Sequence, residues 1–248
     1  MFKKFALALA VAAALPAAAL TTGDIAFTAF NADEDGFAMV ALTNVAANTK
    51  VYFSDNEWSG TAFNTGESSS SWSSGAAVVN AGTVIRFSKT DHATLLAASM
   101  GTLARETVAS STNWGLSQTA DTVYAYLGTS AVVPTTFLSA ISSGTFGNAA
   151  DGTLANTGLA IGVGAVQLSA SSDYAQYSGA RADQRSFAGY KALFANVANW
   201  TDSGDGSFAT AVPNTIAFTI TAVPEPESYA LMLAGMGAIG LLVARRRA

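Results

Sequence analysis

The chain has 248 residues, half of them hydrophobic and 12% charged, with a formal net charge of −5, one histidine and no cysteine. The cysteine count excludes disulfides and thiolate catalysis, and one histidine excludes a zinc site built on several His or Cys ligands. Residues 20–222 carry seven basic against fifteen acidic residues, a net of −8, which leaves no basic stripe for a phosphate backbone and no nucleic acid as partner.

In chain order, Met1-Phe2-Lys3-Lys4 is a short positive segment and Phe5–Leu15 an apolar run of eleven residues. Pro16 then breaks the helix, and Ala17-Ala18-Ala19 supply small side chains. This order is that of a secretory signal helix over residues 1–19, with signal peptidase cutting after Ala19. The run is too short, and too soon followed by polar residues, to be a first membrane span.

From Gly23 onward, short alternating runs are punctuated by Gly, Asn, Asp and Ser, the pattern of many short strands. Expected strands include Asp24–Phe30, Gly36–Thr43, Thr49–Ser54, Thr83–Ser88, Thr122–Leu127, Ala160–Leu168 and Ala211–Thr221. Two segments read as helices. Asp91–Leu103 has a capping residue and near-helical spacing of Leu95, Leu96, Met100 and Leu103, and Ser186–Trp200 places Tyr190, Leu193, Phe194 and Val197 on one face. No fixed-period repeat is present. The expected fold is mainly β: a β-sandwich over residues 20–222 with one or two short helices.

Chemistry-bearing clusters are few. His92 lacks a G-x-S-x-G elbow and falls near a predicted helix start, so it reads as solvated. Asp33-Glu34-Asp35-Gly36 and Asp202-Ser203-Gly204-Asp205-Gly206 are the acidic, glycine-bearing loops a Ca²⁺ ion would need. Neither has EF-hand spacing, so Asp33, Asp35, Asp202 and Asp205 are read as turn residues, with no metal or cofactor expected. Asp55 with Glu57 or Glu67 could form a carboxylate pair for glycoside hydrolysis. Trp58, Phe63 and Trp72 lie in a Ser/Gly-rich stretch read as loop, where rings stack on sugars or anchor the loop.

Several motifs carry a resemblance: Gly23–Ile25 opening a strand that ends Phe30-Asn31-Ala32-Asp33, the strand Phe37–Leu42, and Val51-Tyr52-Phe53-Ser54-Asp55-Asn56-Glu57-Trp58. Farther on come Trp114-Gly115-Leu116-Ser117 and Asp121–Tyr126. Together they resemble an outer-surface domain family related to the lamin-tail sandwich. The resemblance implies an interaction domain and supplies no catalytic set.

The carboxy-terminal end, residues 223–248, has three parts. Val223-Pro224-Glu225-Pro226-Glu227 comes first, then the apolar stretch Tyr229–Ala244, then Arg245-Arg246-Arg247. The prolines hold the backbone extended and accessible. Sixteen apolar residues make a helix of about 24 Å, slightly short of the hydrocarbon core, and snorkelling arginines make up part of the difference. The arginines fix that end in the cytoplasm, so the domain faces the periplasm from the inner membrane. The ending resembles the PEP-CTERM sorting signal of Gram-negative bacteria that make extracellular polysaccharide. By that resemblance an exosortase, an integral-membrane cysteine transpeptidase, recognises Pro224, Glu225 and Pro226 and passes the protein to the envelope or matrix.

The expectation is therefore a non-enzymatic exported protein whose partners are signal peptidase, exosortase, the inner membrane and extracellular polysaccharide. The alternatives are a secreted polysaccharide hydrolase using carboxylates and a sugar- or Ca²⁺-dependent adhesive module.

Overall fold

The structure is a computed structural model that describes residues 19–108, 111–148, 150–221, 231–236, 239 and 245. The strands, in chain order, are β1 (Ile25–Asn31), β2 (Gly36–Ala41), β3 (Lys50–Ser54), β4 (Ser69–Ser73), β5 (Val84–Ser88), β6 (Ala97–Ala98) and β7 (Thr102–Arg105). They continue with β8 (Thr122–Ser130), β9 (Val133–Ser142), β10 (Ala160–Ile161), β11 (Gly164–Gln167), β12 (Tyr174–Tyr177) and β13 (Trp200–Asp202). They form a six-stranded sheet ordered β13-β12-β1-β2-β5-β6 and a seven-stranded sheet ordered β10-β11-β9-β8-β3-β4-β7. Pairing is antiparallel except that β11 runs parallel to β9 and to β10. The fold is mainly β, as expected.

Period-two alternation explains how the seven-stranded sheet buries both faces. Val51, Phe53, Val123, Ala125 and Leu138 point into the main core. Their neighbours Tyr52, Tyr124, Tyr126 and Phe137 point the other way into a second, aromatic cluster. Between the sheets, Phe53 meets Phe37 at 4.9 Å and Phe87 at 5.0 Å between ring centroids, so aromatic contacts fasten one sheet to the other. On the outer face, the loop carrying Trp58 and Phe63 lies over Phe137, with Trp58 at 5.0 Å from that ring. Leu20 is buried in the main core.

The segment Ser186–Trp200 is helical only in pieces. A 3₁₀ turn Phe187–Tyr190 leads into α1 (Lys191–Ala195), and a second 3₁₀ turn, Val197–Asn199, follows. Ser186 caps the first turn through Gly189 N–H, and Asn196, in extended backbone, caps the second through Ala198 N–H. Tyr190 and Phe194 are buried as the spacing requires, whereas Val197 is exposed.

Three expectations are corrected. Asp91–Leu103 is a turn followed by β6 and the start of β7, with Leu95 and Met100 exposed. Local helix propensity lost to an available sheet edge: Leu103 pairs with Trp72, and the Trp72 Nε1 donates to Met100 O at 2.7 Å. Gly101 sits there at φ +75°, and a Cβ would stand 2.2 Å from Ser73 O. Second, Ala211–Thr221 is a strap with one bridge, Ile220 to Gln184, and no strand of its own. Third, Ser69–Ser73, read as loop, is β4, paired on both sides by β3 and β7.

The signal segment before Ala19 lies outside the described residues, as do Pro224, Glu225, Pro226, Arg246, Arg247 and most of Tyr229–Ala244. Residues 231–236 are helical, and Leu231 and Leu233 are 75% and 62% exposed. Among the described residues, no helix is long and apolar enough to cross a membrane.

Candidate functional site

Because β3 lies between β4 and β8, the residues just beyond their ends meet at one end of the seven-stranded sheet. These are Asp55 after β3, Glu67 before β4 and Asp121 before β8. Asp55 is 3% exposed and lines a narrow crevice between the sheets with Phe37, Ser54, Ser68, Thr90 and Leu116. Its Oδ2 accepts from Ser68 Oγ at 2.8 Å, and its Oδ1 has no partner. Asn56 organises the corner: its Nδ2 donates to Ser68 O at 2.8 Å, and its Oδ1 accepts from Glu67 N at 3.1 Å.

Asp121 accepts from Ser117 N at 2.6 Å and from Thr122 N at 2.7 Å. Burial is the chief cause that pushes all three acids up; the charge of Glu67 adds to Asp55, the charges of Asp55 and Glu67 add to Asp121, and Glu57 adds to Glu67. Asp55 rises to about 8, Glu67 to about 7, and Asp121 well above the usual carboxylate range. Such a group holds protons at neutral pH.

Of the suggested hydrolytic pairs, the structure brings Asp55 toward Glu67 and separates it from Glu57. Glu57 lines a different cleft of about 680 Å³ on the outer side, with Trp58, Asn64 and Thr153, and accepts from Asn64 Nδ2. Sequence reasoning passed over Asp121. The signal that marks it is its position before a strand whose Tyr124 pairs with Ser54, the neighbour of Asp55.

The acidic loops spend their carboxylates on protein groups. Asp33 accepts from Gln118 Nε2 at 2.7 Å and from Phe208 N, Glu34 pairs with Arg86, and Asp35 accepts from Leu116 N at 2.6 Å. The three consecutive acids thus tie three separate segments to one corner. Burial, outweighing the Leu116 N–H, lifts Asp35 to about 6.

Asp202 accepts from Ser169 N and Oγ, from Ser172 Oγ at 2.6 Å and from Gly204 N. Burial alone raises its pKa, but those donors outweigh it and hold the carboxyl below its ordinary range. Asp205 is exposed. Among the described residues, no three His, Cys, Asp or Glu side chains converge on a metal-sized centre. Asp33, Asp35 and Asp202 thus each tie a loop to a neighbouring segment through backbone or side-chain donors.

The other singled-out side chains have structural partners. His92 is exposed, and its Nδ1 accepts from Leu95 N at 3.2 Å. Trp72 is fully buried, Trp58 is buried with Nε1 donating to Ala155 O at 2.9 Å, and Phe63 is half-buried against Trp58. Of the two uses open to these rings, all three serve packing and anchoring.

Comparison with known proteins finds a functional element in the tail. Residues 222–247 match a family model described as the PEP-CTERM protein-sorting motif. The motif implies an exported protein, anchored in a membrane before an exosortase processes it. No curated protein and no solved structure matches the chain.

Proposed function

We propose that the chain is a non-enzymatic envelope or extracellular-matrix protein, exported by residues 1–19 and held in the inner membrane by residues 229–244. In this reading residues 20–222 face the periplasm until an exosortase acts near Pro224-Glu225-Pro226. The protein then passes outward to associate with exopolysaccharide. The observation that carries the reading is the family match over residues 222–247, which spans motif, apolar stretch and arginines in the expected order. The arginine end supports the orientation. The disposition of the carboxylates supports a non-catalytic role, because Asp121 is committed to backbone donors and Asp55 is sealed between the sheets. The two-sheet architecture is compatible with the resemblance to lamin-tail surface domains.

A polysaccharide hydrolase is the second reading. It draws on Glu67, held at about 7, with the charge of Glu57 contributing from the neighbouring cleft. Loss of measurable polysaccharide cleavage in Glu67→Gln would favour it over the first.

The sorting reading has a direct test in a host that makes an exosortase. Replacing Pro224, Glu225 and Pro226 with alanine leaves the apolar stretch and arginines in place, so membrane insertion is retained. The mutant should accumulate at full length in the inner membrane while the wild type is shortened. Fractionation with a tag after Ala19 reads this out, and equal processing of both proteins would reduce residues 229–244 to a plain anchor.

A further inference from the structure

The chain does not leave the domain freely before the sorting motif. Phe218 is 2% exposed and packs on Phe194, Tyr190 and Tyr177 at 4.9, 5.1 and 5.7 Å between centroids. The Arg181 guanidinium lies 4.4 Å from the Phe218 ring centroid and donates to Ile216 O at 2.7 Å. Phe218 N donates to Gly82 O, Thr219 N to Arg181 O, and Thr221 N to Gln184 O, at 2.7–2.8 Å. Tyr190 Oη donates to Thr219 O and Thr221 Oγ1 to Ala182 O, at 2.8 and 2.7 Å. Gly82 lies at φ +90°, and a Cβ there would stand 2.1 Å from Phe218 O. The glycine is thus required by the close approach of the strap.

Only Ala222 and Val223 separate the last of these bonds from Pro224, and seven residues, 222–228, separate Thr221 from the apolar stretch. Fully extended, the path from Thr221 to Tyr229 spans about 28 Å. Backbone bonds to the domain thus reach to within two residues of Pro224, close to where an enzyme acting at the motif has to work.

We propose that residues 214–221 form a clasp that has to open before an exosortase gains its full grip on Pro224-Glu225-Pro226, with Phe218 as the positioning residue that sets how often it opens. The proposal rests on the sorting reading. Opening costs the burial of one phenylalanine ring and a handful of hydrogen bonds, far less than global unfolding, so it proceeds as a local event. When opening and closing are fast, processing follows the open population.

The test compares processing rates of full-length variants in an exosortase-bearing host. Phe218→Ala should be processed about tenfold faster or more, since losing a buried phenylalanine shifts the opening equilibrium at least that far. Gly82→Ala, which pushes the strap off without altering it, should act in the same direction. A flexible twelve-residue Gly-Ser insertion after Thr221 should also accelerate processing, with the melting temperature unchanged. In that background Phe218→Ala should add nothing, a result that a merely structural role for Phe218 does not give. The insertion decides the matter alone if Phe218→Ala fails to fold, and wild-type rates for insertion and Gly82→Ala would overturn the clasp.

Hydrogen exchange on the full chain gives a reading independent of the enzyme. The Phe218, Thr219 and Thr221 amides should exchange through an opening that leaves the β1 amides protected. Equal protection of the two groups would also overturn the clasp. A wild type that is never shortened while exchange shows the local opening sinks the sorting reading, and with it the clasp's role in processing, while the local opening itself stands.

Discussion

Raising the pH from 5 to 9 should progressively destabilise the folded domain, by ~2 kcal/mol. Most of that comes from the fully buried Asp55, because solvent screens the half-buried Glu67 and Asp35. Asp55 titrates at about 8, Glu67 at about 7 and Asp35 at about 6 in the fold, against ordinary values near 4 once unfolded. Each folded-state value is raised, so the native state holds more protons than the unfolded chain across this window. The stability these groups support is complete below their unfolded values and is lost as pH rises through the folded ones. Asp24 and Asp202 behave oppositely, because their lowered values make their contribution vanish only on the acid side.

Asp55→Asn isolates the leading group, since the amide keeps the shape and can still accept from Ser68 Oγ. The variant should be more stable than wild type at pH 9 and have a shallower pH dependence. Thermal melts in a pH series measure both. A wild-type profile flat between pH 5 and 9, or an Asp55→Asn slope equal to the wild-type slope, would remove the buried acid from the account.

Trp72→Ala should cost about 3–5 kcal/mol, lowering the melting temperature by roughly 10 °C or more. The indole is completely buried, packs edge-on to Phe87, and is the donor that satisfies Met100 O. Its removal opens a cavity behind β4 and leaves a carbonyl without its partner at the tight Gly101 corner, where β7 joins the sheet. Trp72→Phe restores most of the volume but not the hydrogen bond, so it should fall between the two. Calorimetry separates them, and an unchanged Trp72→Ala melt would mean that β4 and β7 contribute little to the cooperative unit.

Where short apolar runs stand between turn residues, the elements were legible. Phe37–Ala41, Val51–Ser54 and Thr122–Leu127 announce themselves, because hydrophobic side chains recur on faces that the fold then buries. The serine-rich β4 was invisible for the opposite reason. Ser69, Ser70 and Ser71 are buried by pairing with two neighbours, and a polar residue's burial depends on partners remote in sequence. The Asp91–Leu103 segment has helical spacing, but a nearby open edge at β4 outcompeted it.

The carboxyl cluster was half legible. Asp55 and Glu67 could be paired on suspicion, but Asp121 joins them only because β8 lies beside β3, and sheet order is not written in any local pattern. The tail is the reverse case. Its motif reads directly from a few adjacent residues, while the ring that governs the approach to it, Phe218, is one phenylalanine among fourteen with no local mark.

The placement of β1 has a consequence for the order of events as the polypeptide is made. Although it is the first strand, it sits inside the six-stranded sheet, flanked by β2 and by β12, with Asn31 opposite Tyr174. A strand so placed keeps one row of amides and carbonyls unpaired until more than a hundred further residues have emerged. Contacts of such long sequence separation slow folding and lengthen the interval in which an edge is exposed to other chains. Phe218 closes the last gap against Tyr177 and Tyr190, so the domain cannot complete itself until the residues just ahead of the sorting motif have followed. In an exported chain the final folding step is therefore close to the emergence of the apolar stretch, which begins eleven residues after Phe218. A chain truncated before Phe218 therefore lacks both its means of anchorage and the last piece of its core.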